Sequence, residues 1–304
     1  MISESLSKGG YMRPAWLNVR LQNTPALKAL KETAQSLELA TVCQEANCPN
    51  LFDCWSEGTA TFMLMGDTCT RGCRFCNVKT GNPNGWLDAE EPEKLARTVA
   101  KAGWHYVVLT AVDRDDLPDG GASHMAKCVQ AILHAVPNLK VEVLAPDFKG
   151  DLDALNTLLE SGLHVFAHNV ETVERLQSSV RDRRANYQQS LNVLEKAKQT
   201  HPQVVTKTSL MLGLGETLDE IKVCLADLRR QKVDAITFGQ YLQPSPKHLK
   251  VSEWVEPAVF DELKRLAEQD YGFAYCASGP LVRSSYKAGE YYLSALVNER
   301  LAML

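Results

Sequence analysis

Short apolar runs recur along this chain with amphipathic segments between them, and that alternation restricts the fold more than any other feature. The runs fall at 60–65, 106–111, 140–144, 164–168, 204–212 and 235–238. Between them the periodicity is helical. Thr217 and Glu220 form a capping-box pair ahead of Ile221, Cys224, Leu225 and Leu228, which share one face. Leu152, Leu155, Leu158 and Leu159 form another stripe, ending at Gly162. Strands this apolar are covered on both faces, so six strand–helix units imply a parallel sheet under helices. A doubly wound sheet is the alternative to a barrel, but no GxGxxG follows the first run, so a dinucleotide fold has no positive support. The expected fold class is α/β, a partial (β/α)6 TIM-like barrel open on one side. In either arrangement, sites form at the C-terminal ends of the strands.

Composition narrows the partners. The chain has 304 residues, 45% hydrophobic and 23% charged, with a net charge of -4. No basic run or aromatic-basic interleaving points to nucleic acid. No apolar stretch approaches a membrane span, and Met1-Ile2-Ser3-Glu4 lacks the basic start of a secretory signal. A cytoplasmic location is expected, where structural disulfides are rare. Cysteine stands out against that background. There are nine, six of them between Cys43 and Cys76. Such clustering in a reducing compartment suggests metal ligation or redox chemistry before crosslinks.

The first strand runs directly into a loop with Cys69, Cys73 and Cys76 in C-x3-C-x2-C spacing. Three thiolates this close can hold three irons of a [4Fe–4S] cluster and leave the fourth iron open to a cofactor. Gly66 and Gly72 are expected to let the loop turn tightly, and Arg71 and Arg74 to add positive charge beside an anionic cluster. A zinc knuckle is the competing account. It would bring a fourth Cys or His at short spacing, and none lies just downstream of Cys76. Upstream, Cys43, Cys48 and Cys54 form a C-x4-C-x5-C set on a stretch broken by Pro49 and Asn50. A zinc loop or three unlinked thiols are the plainer readings of that set. Its fourth ligand must come from elsewhere, and spacing alone points to Cys276, thiolate being the commoner ligand. Cys128 and Cys224 fall in helical patterns and are expected in the core.

The C-x3-C-x2-C motif after a first strand resembles the radical S-adenosylmethionine superfamily, and the pair of cysteine motifs resembles the lipoyl synthase family within it. The resemblance runs from about residue 10 to 290. It is carried further by the stretches Asp113–Ala122, Glu142–Phe148, His168–Thr172, Gly213–Glu216 and Gly239–Pro244, and by the tail Gly279–Tyr286. The resemblance implies two [4Fe–4S] clusters and S-adenosyl-L-methionine, which the first cluster cleaves to a 5′-deoxyadenosyl radical. It assigns Cys69, Cys73 and Cys76 to that cluster, and Cys43, Cys48, Cys54 and Ser285 to an auxiliary cluster. A serine oxygen holds iron less covalently, which suits a cluster that comes apart to donate sulfide. Residues 1–58 would then be an N-terminal extension bearing auxiliary-cluster cysteines, 59–270 the partial barrel and 271–304 a C-terminal extension with the RSSY motif.

The implied reaction inserts two sulfur atoms at C6 and C8 of a protein-bound octanoyl-lysine. Unactivated C–H bonds have no acidic proton, so a radical must open them. The implied partners are octanoylated lipoyl carrier domains of 2-oxoacid dehydrogenase E2 subunits and the glycine cleavage H protein, a low-potential electron donor and a cluster-repair carrier. Asn169 and Glu171 are assigned to the cofactor's ribose, and Arg181 to its carboxylate. Asp182 stands where the family commonly has Pro, which leaves Arg183 or Arg184 as substitutes for Arg181. The acidic loop 113–119 fails the EF-hand template and is either a cofactor-side or substrate-side loop or solvated charge. Gly213-Leu214-Gly215-Glu216 either lines the cofactor cleft or is a plain strand-to-helix turn. The seven histidines show no metal-ligand spacing, and Lys207 sits in a strand whose inward face the pattern leaves open. Another radical sulfur-inserting enzyme and a two-cluster electron carrier are the competing functions.

Overall fold

A computed structural model describes residues 14–17, 59–285 and 291–301 of the chain. Its strands are β1 (Thr59–Leu64), β2 (Thr68–Cys69), β3 (Lys79–Thr80), β4 (Tyr106–Ala111), β5 (Lys140–Leu144), β6 (Val165–Ala167), β7 (Val205–Leu212), β8 (Ala235–Gln240) and β9 (Tyr275–Gly279). The main sheet has seven strands in the order β1-β4-β5-β6-β7-β8-β9, every pair parallel. Chain order and sheet order coincide, so each crossover carries the chain one place on in the same sense, as a right-handed βα winding requires. No pairing among the described residues joins β9 back to β1. The result is a partial barrel, open on one side. The six expected runs are all strands, and β9 adds a seventh within residues 271–304.

The helices between strands are α1 (Glu91–Ala102), α2 (Ala122–Ala135), α3 (Leu152–Leu159), α4 (Gln177–Val180), α5 (Tyr187–Thr200), α6 (Leu218–Arg230) and α7 (Pro257–Arg265), followed by α8 (Tyr291–Leu301). The capping box of α6 forms as the sequence implies: Thr217 Oγ1 accepts from the Glu220 N–H, and Glu220 accepts from the Thr217 N–H. In α3, Leu155, Leu158 and Leu159 are buried while Leu152 is exposed, so the stripe is shorter than the leucine spacing suggests.

Successive strand residues face opposite sides. Val107, Leu109, Val143, Phe166, Leu210 and Phe238 pack against the helices in one large apolar core. The other face is the barrel interior. There Lys207 Nζ lies 2.8 Å from Glu142 Oε1, and Tyr106 OH donates to Glu142 Oε2 at 2.8 Å. Lys207 therefore points inward. At the N-terminal rim of the strands, Val165, Val205 and Ala235 meet Val297 of α8, and Arg300 pairs with Asp234. Polar groups at the floor and apolar packing outside leave the C-terminal ends of the strands as the open face. No helix among the described residues is long and apolar enough to cross a membrane.

Candidate active site

The chain leaves β1 in two left-handed steps, Met65 at φ 65° and Gly66 at φ 85°. Only glycine takes that conformation without cost, so Met65 must be held there. Glu91 holds it: both carboxylate oxygens accept the Met65 N–H, at 3.2 and 3.1 Å, and His124 Nε2 lies 2.6 Å from the same carboxylate. The cysteine loop that follows is pinched at its base by β2 pairing with β3 and by the Gly81 N–H on the Cys69 carbonyl, 2.9 Å. Gly72 does not adopt the left-handed conformation. Its N–H instead donates to Asp182 Oδ2 at 2.8 Å, so hydrogen bonding rather than backbone freedom shapes that position.

Two distant segments grip this loop beside a third at 248–249, where His248 and Leu249 meet the Cys76 and Arg74 carbonyls. From the end of β4, the Asp113 carbonyl accepts both the N–H and the hydroxyl of Thr70, at 2.9 and 2.8 Å. Arg71 is buried and bonds Asp147 and Asp115, with Asp113 3.3 Å away. Its charge is therefore taken up by three carboxylates, not left free for a cluster as the sequence suggested. The acidic stretch is no solvated run: Asp113 and Asp115 face Arg71, and Asp116 pairs with the buried Arg114 at 2.8 Å. The second grip comes from 179–184. Arg74 donates to the carbonyls of Val180 and Ser179, and Arg184 donates to the Thr70 carbonyl. Neither grip could be read from spacing, because each joins residues far apart in sequence.

A cavity of about 250 Å³ opens over this loop. It brings together Cys69, Cys73, Cys76, Asn169, Glu171, Arg181 and Ser285. Seven of the ten expected site residues thus share one wall system, and Cys43, Cys48 and Cys54 lie outside the described residues. Glu171 sits at φ 66°, and burial raises its carboxyl against the pull of Arg181 and an Asn169 hydrogen bond. Arg181 Nη1 donates to Ser190 Oγ at 2.8 Å and to Gln177 Oε1 at 3.1 Å. Ser190 in turn bonds His168 Nε2, and His168 Nδ1 lies 2.9 Å from the Ala145 carbonyl. A carbonyl can only accept, so Nδ1 carries the proton and Nε2 accepts from Ser190. Arg184 binds the cysteine loop, and Arg183 is exposed with no bond to the site, so Arg181 is the one of these three arginines that lines the cavity.

Other sequence expectations sort cleanly. Cys276 is fully buried in the helix-side core, on the face of β9 turned away from the cavity. It is thereby removed as a ligand to anything Ser285 touches. Cys128 and Cys224 are core residues. Gly213–Glu216 is a strand-to-helix turn in which Glu216 accepts the N–H groups of Gly213 and Leu214, and it does not line the cavity.

The donor set suits an iron–sulfur cluster. All three thiols are free, and burial pushes each up to about 11, with neighbouring carboxylates or thiols adding to the effect. Thiolates form here only when a cationic centre supplies the missing positive charge. No described histidine completes a zinc site: His248 Nε2 is engaged by the Cys76 carbonyl at 3.0 Å and His168 by Ser190. A cluster held here by the three thiols would keep one position open among the described residues.

Residues 63–228 match the family described as the Radical SAM superfamily. Over 276 residues the chain is 58% identical to the lipoyl synthase of Legionella pneumophila strain Paris, covering 91% of this chain and 84% of that one. It is 54% identical over 291 residues to the mitochondrial lipoyl synthase of Eremothecium gossypii, covering 94% and 79%. Among solved structures it resembles methylornithine synthase with a TM-score of 0.56 at 15% identity, covering 90% and 92% of the two chains. It also resembles the FeFe-hydrogenase maturase HydG of Carboxydothermus hydrogenoformans, with a TM-score of 0.57 at 13% identity, covering 90% and 78%. At those identities the structural likeness speaks for the fold alone.

Proposed function

Because the chain belongs to the lipoyl synthase family of the radical SAM superfamily, we propose that it inserts sulfur at C6 and C8 of an octanoyl chain carried on a lysine of a lipoyl carrier domain. The family works with a [4Fe–4S] cluster and S-adenosylmethionine. When bound, that pair supplies a radical able to abstract hydrogen from an unactivated carbon, and the protein contributes position and exclusion of water.

Cys69, Cys73 and Cys76 hold the cluster as thiolates. Arg181, kept in place by Ser190 and Gln177, meets the cofactor's carboxylate, and Asn169 and Glu171 meet its ribose. The aliphatic lining from Met63, Val112, Leu144 and Pro146 keeps solvent from the reacting carbon. Ser285 with Cys43, Cys48 and Cys54 holds an auxiliary cluster, which is consumed as the sulfur source and so counts as a substrate. On this reading 1–58 and the tail after β9 furnish that second site around the barrel, which β9 carries past residue 270. Carrier domains of 2-oxoacid dehydrogenases and the glycine cleavage H protein present the octanoyl group. A low-potential donor supplies electrons, and a cluster carrier restores the auxiliary site. A reducing compartment such as the cytosol suits these free thiols.

One observation carries the reading: Ser285 lines the same cavity as the three clustered cysteines, although more than 200 residues separate them. A sulfur donor must reach the carbon on which the radical forms, and a shared cavity allows it. Anaerobic mass spectrometry on an octanoyl-lysine peptide, with reconstituted protein, S-adenosylmethionine and a strong reductant, tests it. A gain of two sulfurs as the dithiol, or of two sulfurs less two hydrogens once oxidised to the disulfide, with 5′-deoxyadenosine released, is the expected result. Release of 5′-deoxyadenosine over an unchanged peptide would overturn the substrate assignment while leaving the radical chemistry in place.

A further inference from the structure

The three thiols of the cluster site are not solvated alike by the backbone. Cys69 receives the N–H of Arg71 at 3.4 Å and is also approached by that of Asp113. Cys76 is met by the N–H of Val78, from its own loop. Cys73 is met by the N–H of Asp182 at 3.3 Å, across 109 positions of sequence. That donor comes from the residue directly after Arg181, and the peptide is fixed from both sides. The Asp182 carboxylate takes the Gly72 N–H at 2.8 Å and the Arg184 side chain at 2.8 Å, while Arg184 ties back to the Thr70 carbonyl at 2.7 Å. The Asp182 N–H is therefore aimed at the sulfur by a closed ring of contacts.

We propose that Asp182 is a positioning residue whose backbone N–H sets the reduction potential of the cluster held by Cys69, Cys73 and Cys76. This rests on those cysteines holding the cluster. An N–H directed at a ligand sulfur stabilises negative charge there, and the reduced cluster carries more of it, so the bond raises the potential. The carboxylate does not touch the sulfur; it orients the peptide that does. Arg181 and Asp182 being consecutive, one short segment serves both the cofactor pocket and the cluster ligand.

Asp182→Pro deletes both the N–H and the carboxylate, and Asp182→Asn removes the same charge while keeping the N–H and an acceptor oxygen for Gly72. Arg181 already has extended backbone, φ -95° and ψ 166°, which a following proline tolerates. Both variants are made in the full chain with Cys43, Cys48 and Cys54 changed to Ala, so that one cluster is read. The potential is followed by anaerobic redox titration with EPR, and iron and sulfide analysis reports loading. The expected result is a lower potential in D182P than in D182N at equal loading. Equal potentials in the two variants would overturn the proposal, while absence of any cluster in the parent protein would instead overturn the cysteine assignment. Should D182P load poorly, pulsed EPR of protein labelled with ¹⁵N-aspartate decides. Two ¹⁵N couplings to the reduced cluster are expected in the parent, one from Asp182 and one from the Asp113 N–H beside Cys69, and Asp182→Ala should remove one of them. An unchanged spectrum in that variant would place the donor elsewhere.

Discussion

Arg71 holds Asp147 through two parallel hydrogen bonds, Nη1–Oδ2 at 2.8 Å and Nη2–Oδ1 at 2.7 Å, from a place between two of the clustered cysteines. Burial alone would raise the Asp147 carboxyl, but the guanidinium holds it at about 2. Asp113, more weakly served by the same Arg71, is pushed up to about 6 by burial. The pair thus ties the end of β5 to the cysteine loop at the centre of the site. Removing one partner of a buried ion pair costs about 3–5 kcal/mol. Asp147→Asn keeps an acceptor oxygen and leaves Asp115 on the guanidinium, so a loss near 3 kcal/mol is expected. Urea unfolding would show it. Iron retention should fall as well, and an unchanged urea midpoint with full loading would mean that the loop is held by other contacts.

His168 makes stability depend on pH. Burial is the main reason that its imidazole is lowered from 6.5 to about 4, with Arg181 acting in the same direction. Its folded value lies below its unfolded one, so between those values the unfolded chain binds the extra proton and stability falls as pH falls. From pH 7 to 5 this one group accounts for a loss of about 2 kcal/mol. Asp113 acts in the opposite sense: its folded value lies above the ordinary 3.8, so the folded protein gains stability as pH drops through 6. In His168→Gln the stability at pH 5 relative to pH 7 should rise by about 2 kcal/mol over that of the parent, leaving the opposite slope of Asp113. A parallel pair of curves would show that His168 is not the neutral link between Ser190 and Ala145.

Lys207 and Glu142 are nearly inaccessible inside the barrel, with side-chain exposures of 2% and 1%. Lys207→Met strands a buried carboxylate, with only Tyr106 OH left to serve it, and should cost about 3–5 kcal/mol. Replacing the whole group, as Lys207→Met with Glu142→Met and Tyr106→Phe, removes every stranded atom. That variant should recover most of the loss, because buried pairs are often no better than apolar packing of similar volume. Thermal unfolding of the two variants side by side checks this. A triple variant as weak as the single one would point to a role in barrel shape instead.

The barrel was legible because its signals are local. Apolar runs and the Thr217–Glu220 cap each lie within a dozen residues and took the form expected, and the cysteines of the C-x3-C-x2-C spacing line one cavity. What stayed hidden depends on where distant backbone segments meet. The strand Tyr275–Gly279 is a short, small-residue stretch with little apolar signal, and it exists because β8 offers an edge. Arg71 looked like a counter-charge for a cluster, but its partners Asp115 and Asp147 come from two other strand ends. Asp182 looked like a local departure from a family pattern, although its bonds to Gly72 and Cys73 make it part of the site.

Gly239 offers a way to move Ser285 without touching it. A Cβ on Gly239 would stand 2.1 Å from the Val282 carbonyl oxygen, a contact with backbone that cannot swing aside. The segment after β9 is laid against β8 there, with Arg283 bonding the Val282 carbonyl at 2.8 Å and the Val282 N–H turned back to Gly279 at 3.1 Å. Gly239→Ala must therefore lift residues 280–285 from the barrel rim, at an overpacking cost of about 1–3 kcal/mol. Cys69, Cys73, Cys76 and Arg181 are borne on other elements and stay in place. Cleavage of S-adenosylmethionine should survive, while sulfur insertion should drop at least about tenfold, equivalent to ~1.4 kcal/mol on the barrier of that step. Measuring 5′-deoxyadenosine and thiolated peptide in the same reaction separates the two. Parallel loss of both would show that the tail also supports the cofactor, and loss of neither would mean that Ser285 need not sit where the structure puts it.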